Sequence, residues 1–470
     1  MTAKRKPLNQ AADARTLAVR VLNALESPGA RRTLDDLLAE VEGLPAVRLR
    51  RDRALLNAIV FGVLRARGRL DHILSRVSKI PWSKVDLPVK NVLRVGLFQM
   101  TDLSRIPASA AVNTSVDIAR AGAAPHAAAF VNAVLRKAAA AHAAIPFPDP
   151  AADRIRARAV CGSLPEWLAA RWLDRYGAEK ADALIAAVNA VPPLTLRVNT
   201  LRAGRPELMA ALADEAERVE PSTVAPDGVL VWGLERHLTA TQPFREGWFQ
   251  VQDEAAQLVG LLLDPRPGEA VLDACAGRGG KTGHIAQLMR DQGRLTAVDR
   301  HPGRLEQLAG ELKRLGIRCT ATRLWDWEGA ALPDALGRFD RVLLDAPCSG
   351  LGTLRRNPDI RWRASESELA RHARIQGRLL ERAAAYVKPG GTLVYAVCSP
   401  EPEETTAVVA AFLERHPEFR RARDPSGFHA ALHPFLDASG ALQTHPAAGY
   451  MDGFFAVKLE MRTQLKKEAP

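Results

Sequence analysis

The spacing of apolar positions changes twice along the chain. From about residue 10 to residue 145 they recur three and four residues apart, in Leu17–Leu25, Ala54–Leu64, Val89–Leu103 and Phe130–Ala139. That period puts them on one face of successive helices. Pro81, Pro107 and Pro125 punctuate the segments, and no strand-like alternation interrupts them, so an all-α domain over 1–145 is expected. Ile145-Pro-Phe-Pro-Asp-Pro150 breaks the pattern. Residues 151–244 then mix helices, at Glu166–Tyr176 and Ala178–Val188, with short strands at Leu194–Val198 and Val229–Val231. This is the signature of a small α+β domain. Over 245–461 short apolar runs alternate with helical ones. The strands are Ala270–Ala274, Arg294–Val298, Arg318–Thr322, Arg341–Leu344 and Thr392–Val397, with helices near 281–290, 303–315, 366–387 and 403–415 between them. Such alternation predicts a mostly parallel, doubly wound α/β sheet. The final run, Gly449–Leu459, supplies an antiparallel edge hairpin. The chain is therefore read as multidomain.

Charge sharpens the division. The chain carries a net +12, yet residues 1–145 hold about 23 Lys and Arg against about 11 Asp and Glu. The surplus sits in the helical domain, and the rest is close to neutral. A basic domain joined to a neutral one points to a nucleic-acid partner; the alternative is a solvated basic surface. No run of about 18 apolar residues is free of charge, which argues against a membrane partner. The basic opening, Met1-Thr-Ala-Lys-Arg-Lys-Pro7, lacks the apolar centre of a secretory signal. The five cysteines (161, 275, 319, 348 and 398) are odd in number and contain no Cys-x-x-Cys pair. A disulfide framework or a zinc knuckle is not expected, nor any other metal, and a reducing cytoplasmic location is.

The first α/β strand runs into Leu272-Asp-Ala-Cys-Ala-Gly-Arg-Gly-Gly-Lys-Thr282. Glycines there permit a tight turn and close ligand approach, and the next helix aims its N-terminal amides at the same place. Asp299 ends the second strand about 20 residues on, where an acid suits two ribose hydroxyls. Three ligands compete. A phosphate-binding loop needs glycine where Cys275 stands, and a dinucleotide fingerprint needs its third glycine where Thr282 stands. The third is S-adenosyl-L-methionine, which has no phosphate. It needs the turn for its amino-acid end, the acid for its ribose and polar groups around its adenine. A bare strand-to-helix turn fits these glycines too.

Two further strands each end at a cysteine, in Asp340-Arg-Val-Leu-Leu-Asp-Ala-Pro-Cys-Ser-Gly350 and Gly390-Gly-Thr-Leu-Val-Tyr-Ala-Val-Cys-Ser399. Ligands in open α/β sheets bind beyond the carboxyl ends of strands, so Cys348 and Cys398 belong at the active edge. The sequence around them does not say which is the nucleophile. Buried structural cysteine is the bland reading for both, and a structural role is preferred for Cys161, Cys275 and Cys319, with the backbone at Cys275 open to the cofactor. His284 and His301 read as surface or packing residues. Arg355, Arg356, Arg361 and Arg363, after the first cysteine, read as a phosphate grip or as a solvated arginine loop.

Taken together these motifs resemble the RNA cytosine-5 methyltransferase family, most closely its bacterial Sun/RsmB branch, which acts on 16S ribosomal RNA. Asp345-Ala-Pro-Cys-Ser-Gly-Leu-Gly-Thr353, Arg356-Asn-Pro-Asp-Ile-Arg-Trp362, Cys398 followed by Glu403-Glu404, and Asp452-Gly-Phe-Phe455 carry the match. Ile106–Val116 and Phe130–Arg136 resemble a NusB-type RNA-binding domain. Arg197-Val-Asn-Thr200 resembles the family's middle domain, and Gln252-Asp-Glu254 its lead-in to the catalytic domain. The likeness covers nearly the whole chain. It departs where the family's Cys-Ala-Ala-Pro-Gly-Gly-Lys reads Cys275-Ala-Gly-Arg-Gly-Gly-Lys281, and where Val397 replaces Thr before the second cysteine.

The resemblance implies a Rossmann-like S-adenosyl-L-methionine methyltransferase domain behind a NusB-like domain. It implies methyl transfer to C5 of a cytosine in 16S rRNA, naked or before subunit assembly is complete, through a transient bond from sulfur to C6. In that mechanism a thiolate makes an inert ring carbon nucleophilic, dividing one hard step into easier ones. The family pattern assigns Cys398 as nucleophile and Cys348 to product release, with Asp345 on the cytosine edge or the cofactor. It maps the cofactor to Cys275, Ala276, Gly277, Arg278, Gly279, Gly280, Lys281, Asp299, Asp326 and Asp345. Rival readings are a non-catalytic RNA-binding or antitermination-like factor, a P-loop NTPase, and the same chemistry on transfer RNA.

Overall fold

The computed structural model describes residues 13–27, 29, 32–42, 44, 47, 49–329 and 337–463. The basic opening residues and the last seven lie outside these. The chain divides into two compact units. One takes it up to Asn189 together with Asn357–Arg363, and the other runs from Ala190 to Arg356 and onward from Ala364.

The first unit is helical, with helices at Ala14–Glu26, Leu34–Glu42, Arg50–Val77, Leu87–Asp102, Ala108–Ile118, Ala128–Ala141, Arg154–Cys161 and Glu166–Asn189. Asp13 caps the first, its carboxylate accepting the Thr16 N–H at 2.8 Å. The apolar faces meet in one core that includes Leu17, Leu22, Ile59, Val63, Val92, Val95, Val131 and Leu135. Helix Arg50–Val77 runs well past the apolar pattern of its first half. Arg65, Arg67 and Arg69 dilute the stripe, but Leu70, Ile73, Leu74 and Val77 continue the same buried face. Arg94, buried in this core, donates to Asp71 through Nε and Nη2 at 2.7 Å each and to Glu26 at 3.2 Å. The segment over 166–189 is two helices joined at Gly177, whose φ of 73° falls in the left-handed region. The break lies between the two helices expected from sequence.

The second unit holds two sheets. Strands β1 (Leu194–Val198), β2 (Arg218–Pro221), β3 (Gly228–Trp232) and β4 (Phe249–Val251) form an antiparallel sheet in the order β2-β3-β1-β4. The larger sheet contains β5 (Ala270–Asp273), β6 (Arg294–Asp299), β7 (Thr320–Leu324), β8 (Phe339–Asp345), β9 (Val387–Val397), β10 (Phe419–Arg421), β11 (Ala441–Gln443) and β12 (Phe455–Met461). Its order is β10-β12-β9-β8-β5-β6-β7, with β11 also on β12. The run from β7 to β9 is parallel. Its central strands carry apolar side chains on both faces because helices cover both. The antiparallel edge has three strands: β12 pairs with β9 on one side and with the short β10 and β11 on the other. The chain goes from β5 outward through β6 to β7, then returns to place β8 on the other side of β5. That reversal opens a crevice at the carboxyl ends of β5 and β8, where Asp273 and Asp345 stand. No helix among the described residues is long and apolar enough to cross a membrane.

Candidate active site

The turn after β5 is pinned to both neighbouring strands. Ala274 N–H donates to Leu343 O and Ala276 N–H to Val298 O, each at 2.8 Å. Gly277 and Gly279 have φ of 56° and 88°, a region where a side chain strains the backbone. A Cβ on Gly277 or Gly280 would stand in open space, whereas one on Gly279 would lie 2.9 Å from Leu308. The turn thus presents a bare backbone cradle on one side and packs on the other. Asp299 holds it: Oδ2 accepts the Gly277 N–H at 3.0 Å and Oδ1 accepts the His301 N–H at 2.8 Å.

Three charged groups crowd beneath the turn. Lys281 Nζ donates to Asp345 Oδ2 at 2.6 Å and lies 5.1 Å from the centre of the Phe454 ring. Burial opposes the charge on Lys281. The Asp345 carboxylate and its hydrogen bond outweigh that, helped by Cys398 and Asp273, and hold the ammonium above its usual range. Asp273 is fully buried. Its Oδ2 accepts the Thr282 hydroxyl at 2.7 Å, while Oδ1 has no hydrogen-bond partner. Burial pushes its pKa up to about 7; Asp345 adds to the rise, and the Thr282 hydrogen bond and Lys281 oppose it.

The remaining cofactor candidates fall into place around this turn. The Cys275 thiol is driven well above its ordinary range by burial and by Asp273, Asp345 and Asp299. That makes it an inert side chain on a useful backbone. Ala276 is buried and Arg278 is exposed. Asp326 is on an exposed turn past β7, its carboxylate accepting the Glu328 N–H at 3.0 Å. The open glycine cradle, the orphan oxygen of Asp273 and the acid at the end of β6 fit a ligand with an ammonium group and a ribose.

Cys348 and Cys398 follow the adjacent parallel strands β8 and β9, and their sulfurs lie 3.3 Å apart. The hydrogen bond with Cys398 is the first cause holding the Cys348 thiol well above its ordinary range; burial and Glu404 add to it. Either sulfur can donate in that contact. The Gly352 N–H donates to Cys398 O at 3.0 Å, and the Gly453 N–H to Gly352 O at 2.8 Å, lacing the two loops to the turn before β12. A Cβ on Gly352 would fall 1.8 Å from Gly453 O, so only glycine fits this crossing. Cys161 is exposed, against the expectation of a buried structural thiol, whereas burial raises the Cys319 thiol to about 12 with help from Asp291.

The arginines after Cys348 are not a free phosphate grip. Arg355 is buried and donates to Gly449 O at 2.7 Å and to Pro446 O. Arg356 donates to Asp253 Oδ2 at 2.8 Å. Arg361 is fully buried in the first unit, donating to Asn189 Oδ1 at 2.7 Å and to Val188 O at 3.1 Å. Arg363 pairs with Asp359 at 3.5 Å. Guanidinium groups carry five donors in a fixed fork and suit bracing of loop carbonyls as well as binding of anions. His284 is buried against Gly260, and His301 is exposed at the start of helix Pro302–Leu315. Sequence reading missed Asp273 as a site residue, although an acid ending a buried strand was visible. It also left the Glu403-Glu404 pair without a task.

Three family models match the chain. The model for the 16S rRNA methyltransferase RsmB/F covers residues 260–460. The NusB family model covers 12–140, and an RsmF/B-like ferredoxin-like domain covers 164–233. A probable ribosomal RNA small subunit methyltransferase B of Bacillus subtilis is 37% identical over 417 residues, covering 87% of this chain and 91% of that protein. Its counterpart from Synechocystis is 36% identical over 421 residues, with the same coverage of 87% and 91%. The crystal structure of PH0851 superposes with a TM-score of 0.79 at 27% identity, covering 97% of this chain and all of that one. A methyltransferase homologue from Pyrococcus horikoshii gives 0.56 at 27% identity, covering 66% and 99%.

Proposed function

Because the chain belongs to the RsmB/F family of 16S rRNA methyltransferases, we propose that it methylates C5 of a cytosine in 16S rRNA through a transient bond from Cys398 to C6. The observation that carries this reading is the pair of sulfurs 3.3 Å apart at neighbouring strand ends, beside the glycine cradle. The family pattern makes Cys398 the attacking thiolate, with the Cys348 sulfur in hydrogen-bonding contact beside it. Its addition to C6 makes C5 an enamine-type carbon able to take a methyl group. After transfer, the C5 proton is removed and the sulfur leaves, with Cys348 serving this release. The Lys281 ammonium, charge-coupled to Cys398, steadies the thiolate while the base enters. Asp345, fixed by Lys281, accepts from the exocyclic amino group of the cytosine.

S-adenosyl-L-methionine, when bound, supplies the electrophilic methyl group. The backbone from Cys275 and Ala276 through Gly277, Arg278, Gly279 and Gly280 to Lys281 would hold its amino-acid end. Asp299 would take the ribose and Asp326 the adenine amino group. A base must leave its stack, or lie in an unpaired loop, to reach such a crevice, which favours naked 16S rRNA met in the cytoplasm before assembly is complete. We propose three working parts: a NusB-like RNA-binding domain over 1–145, a small α+β domain over 151–244 and the methyltransferase domain over 245–461. The basic first part adds a largely electrostatic, salt-sensitive grip.

The test is transfer of labelled methyl from S-adenosyl-L-methionine to naked 16S rRNA, with 5-methylcytosine as the product. Cys398→Ala is expected to abolish transfer. Cys348→Ala is expected to trap a protein–RNA adduct that survives denaturant. The reverse pattern would exchange the two cysteine roles. Transfer to unmodified transfer RNA but not to 16S rRNA would overturn the substrate.

A further inference from the structure

We infer that the Glu404 carboxylate is a positioning residue for both sulfurs: it ties the loop after β8 to the loop after β9 and sets a negative charge beside Cys348. The inference rests on the cysteine roles proposed above and goes beyond them. The geometry is a four-donor clamp. Glu404 Oε1 accepts the Ser349 N–H at 2.8 Å and the Gln376 amide at 3.1 Å. Oε2 accepts the hydroxyls of Ser349 and Ser399, each at 2.5 Å. Ser349 follows Cys348 and Ser399 follows Cys398, so one carboxylate grips the residue after each thiol. All four groups donate, which is the partner set of an ionised carboxylate. Glu404 is fully buried and is itself locked, its carbonyl accepting the Tyr395 hydroxyl at 2.6 Å.

A buried negative charge beside two thiols makes them unequal. It acts on Cys348, where it opposes loss of the proton along with the Cys398 sulfur and burial. Lys281 and Asp345 form an ion pair, and Cys398 is among the groups that favour the Lys281 ammonium. Tyr395 packs from β9 with its hydroxyl held protonated, first by burial and further by the Glu404 and Asp345 carboxylates. His372 faces Glu404 from helix Glu366–Ala384, and burial lowers its pKa, so it brings no full counter-charge at neutral pH.

The experiment is peptide-resolved alkylation of the full chain by iodoacetamide across pH, with neither RNA nor cofactor present. In Glu404→Gln, close to Glu404 in shape but neutral, the alkylation midpoint of Cys348 is expected to fall by about one pH unit, as loss of a near like charge dictates. Glu404→Asp, which keeps the charge, should leave that midpoint near the wild-type value. Rates rising or falling equally at all pH, with the midpoint unmoved, would overturn the electrostatic role. The clamp has its own test in Ser349→Ala and Ser399→Ala, each expected to speed alkylation at both cysteines. An effect confined to the cysteine beside the substitution would overturn the tie. These readouts need no methyl transfer, so they stand or fall separately from the proposed activity.

Discussion

Arg356→Ala offers a quantitative check on how the catalytic loop is held. The Arg356 guanidinium donates to Asp253 Oδ2 through Nε at 3.1 Å and Nη2 at 2.8 Å, and its Nε lies 3.5 Å from Asp452 Oδ2. It also donates to Pro193 O at 2.9 Å, Thr195 Oγ1 at 3.0 Å and Tyr450 O at 3.3 Å. The two acid side chains are nearly sealed from water, at 7% and 5% exposure, while that of Arg356 keeps 21%. Removing one partner of a buried ion pair costs 3–5 kcal/mol as a rule, and partial exposure places this case at the lower end, about 3 kcal/mol.

The pH dependence fixes the sign. Burial, then Asp253, hold the Asp452 carboxyl well above the usual carboxylate range, against the pull of Arg356 and Arg355. A raised folded pKa means the native state binds the proton more tightly than the unfolded chain. The stability it brings is complete below the unfolded value and is lost as pH rises towards the folded one. Loss of Arg356 raises that folded value further. The destabilisation should therefore be no smaller at the higher of two pH values, about pH 8 against about pH 5.5. Urea unfolding of the full chain at both pH values reads this directly. A loss below about 1 kcal/mol at both, or one that grows on acidification, would refute the reasoning.

Two further outcomes follow from the same geometry. Asp273 has a folded pKa of about 7 against an ordinary 3.8, so its contribution to stability declines as pH rises between those values; Asp273→Asn should flatten that part of the stability profile, and an unchanged slope in urea unfolding would count against it. Gly352→Ala puts a Cβ 1.8 Å from Gly453 O; it should cost about 1–3 kcal/mol of stability and sharply lower methyl transfer, and an active variant with wild-type stability would contradict the crossing.

Much of the frame was legible because it depends on local period. The switch from three-and-four spacing to short apolar runs divides helices from sheet, since a helix face and a buried strand place side chains by different geometry. The strand ends at Asp273, Asp345 and Val397 lie close to where the runs end, and Gly177 separates the two helices the pattern divides. Long-range partners were not legible. A stretch with four arginines looks the same in sequence whether it meets phosphates or carbonyls. Arg355 and Arg361 became buried braces because the chain brings Gly449 and Asn189 to them from 94 and 172 residues away. Glu404 could not be told from its exposed-looking neighbour Glu403 until two loops converged on it.

The sequence by itself determined that two cysteines follow buried strands and that a glycine turn and an acid follow two others. These are consequences of apolar runs ending at residues whose chemistry is local. Only the tertiary structure decided that β8 and β9 lie side by side with their sulfurs 3.3 Å apart, and that one buried carboxylate grips the residue after each of them. Strand order and register are set by packing across the whole sheet, and so, therefore, is the electrostatic difference between two chemically identical thiols.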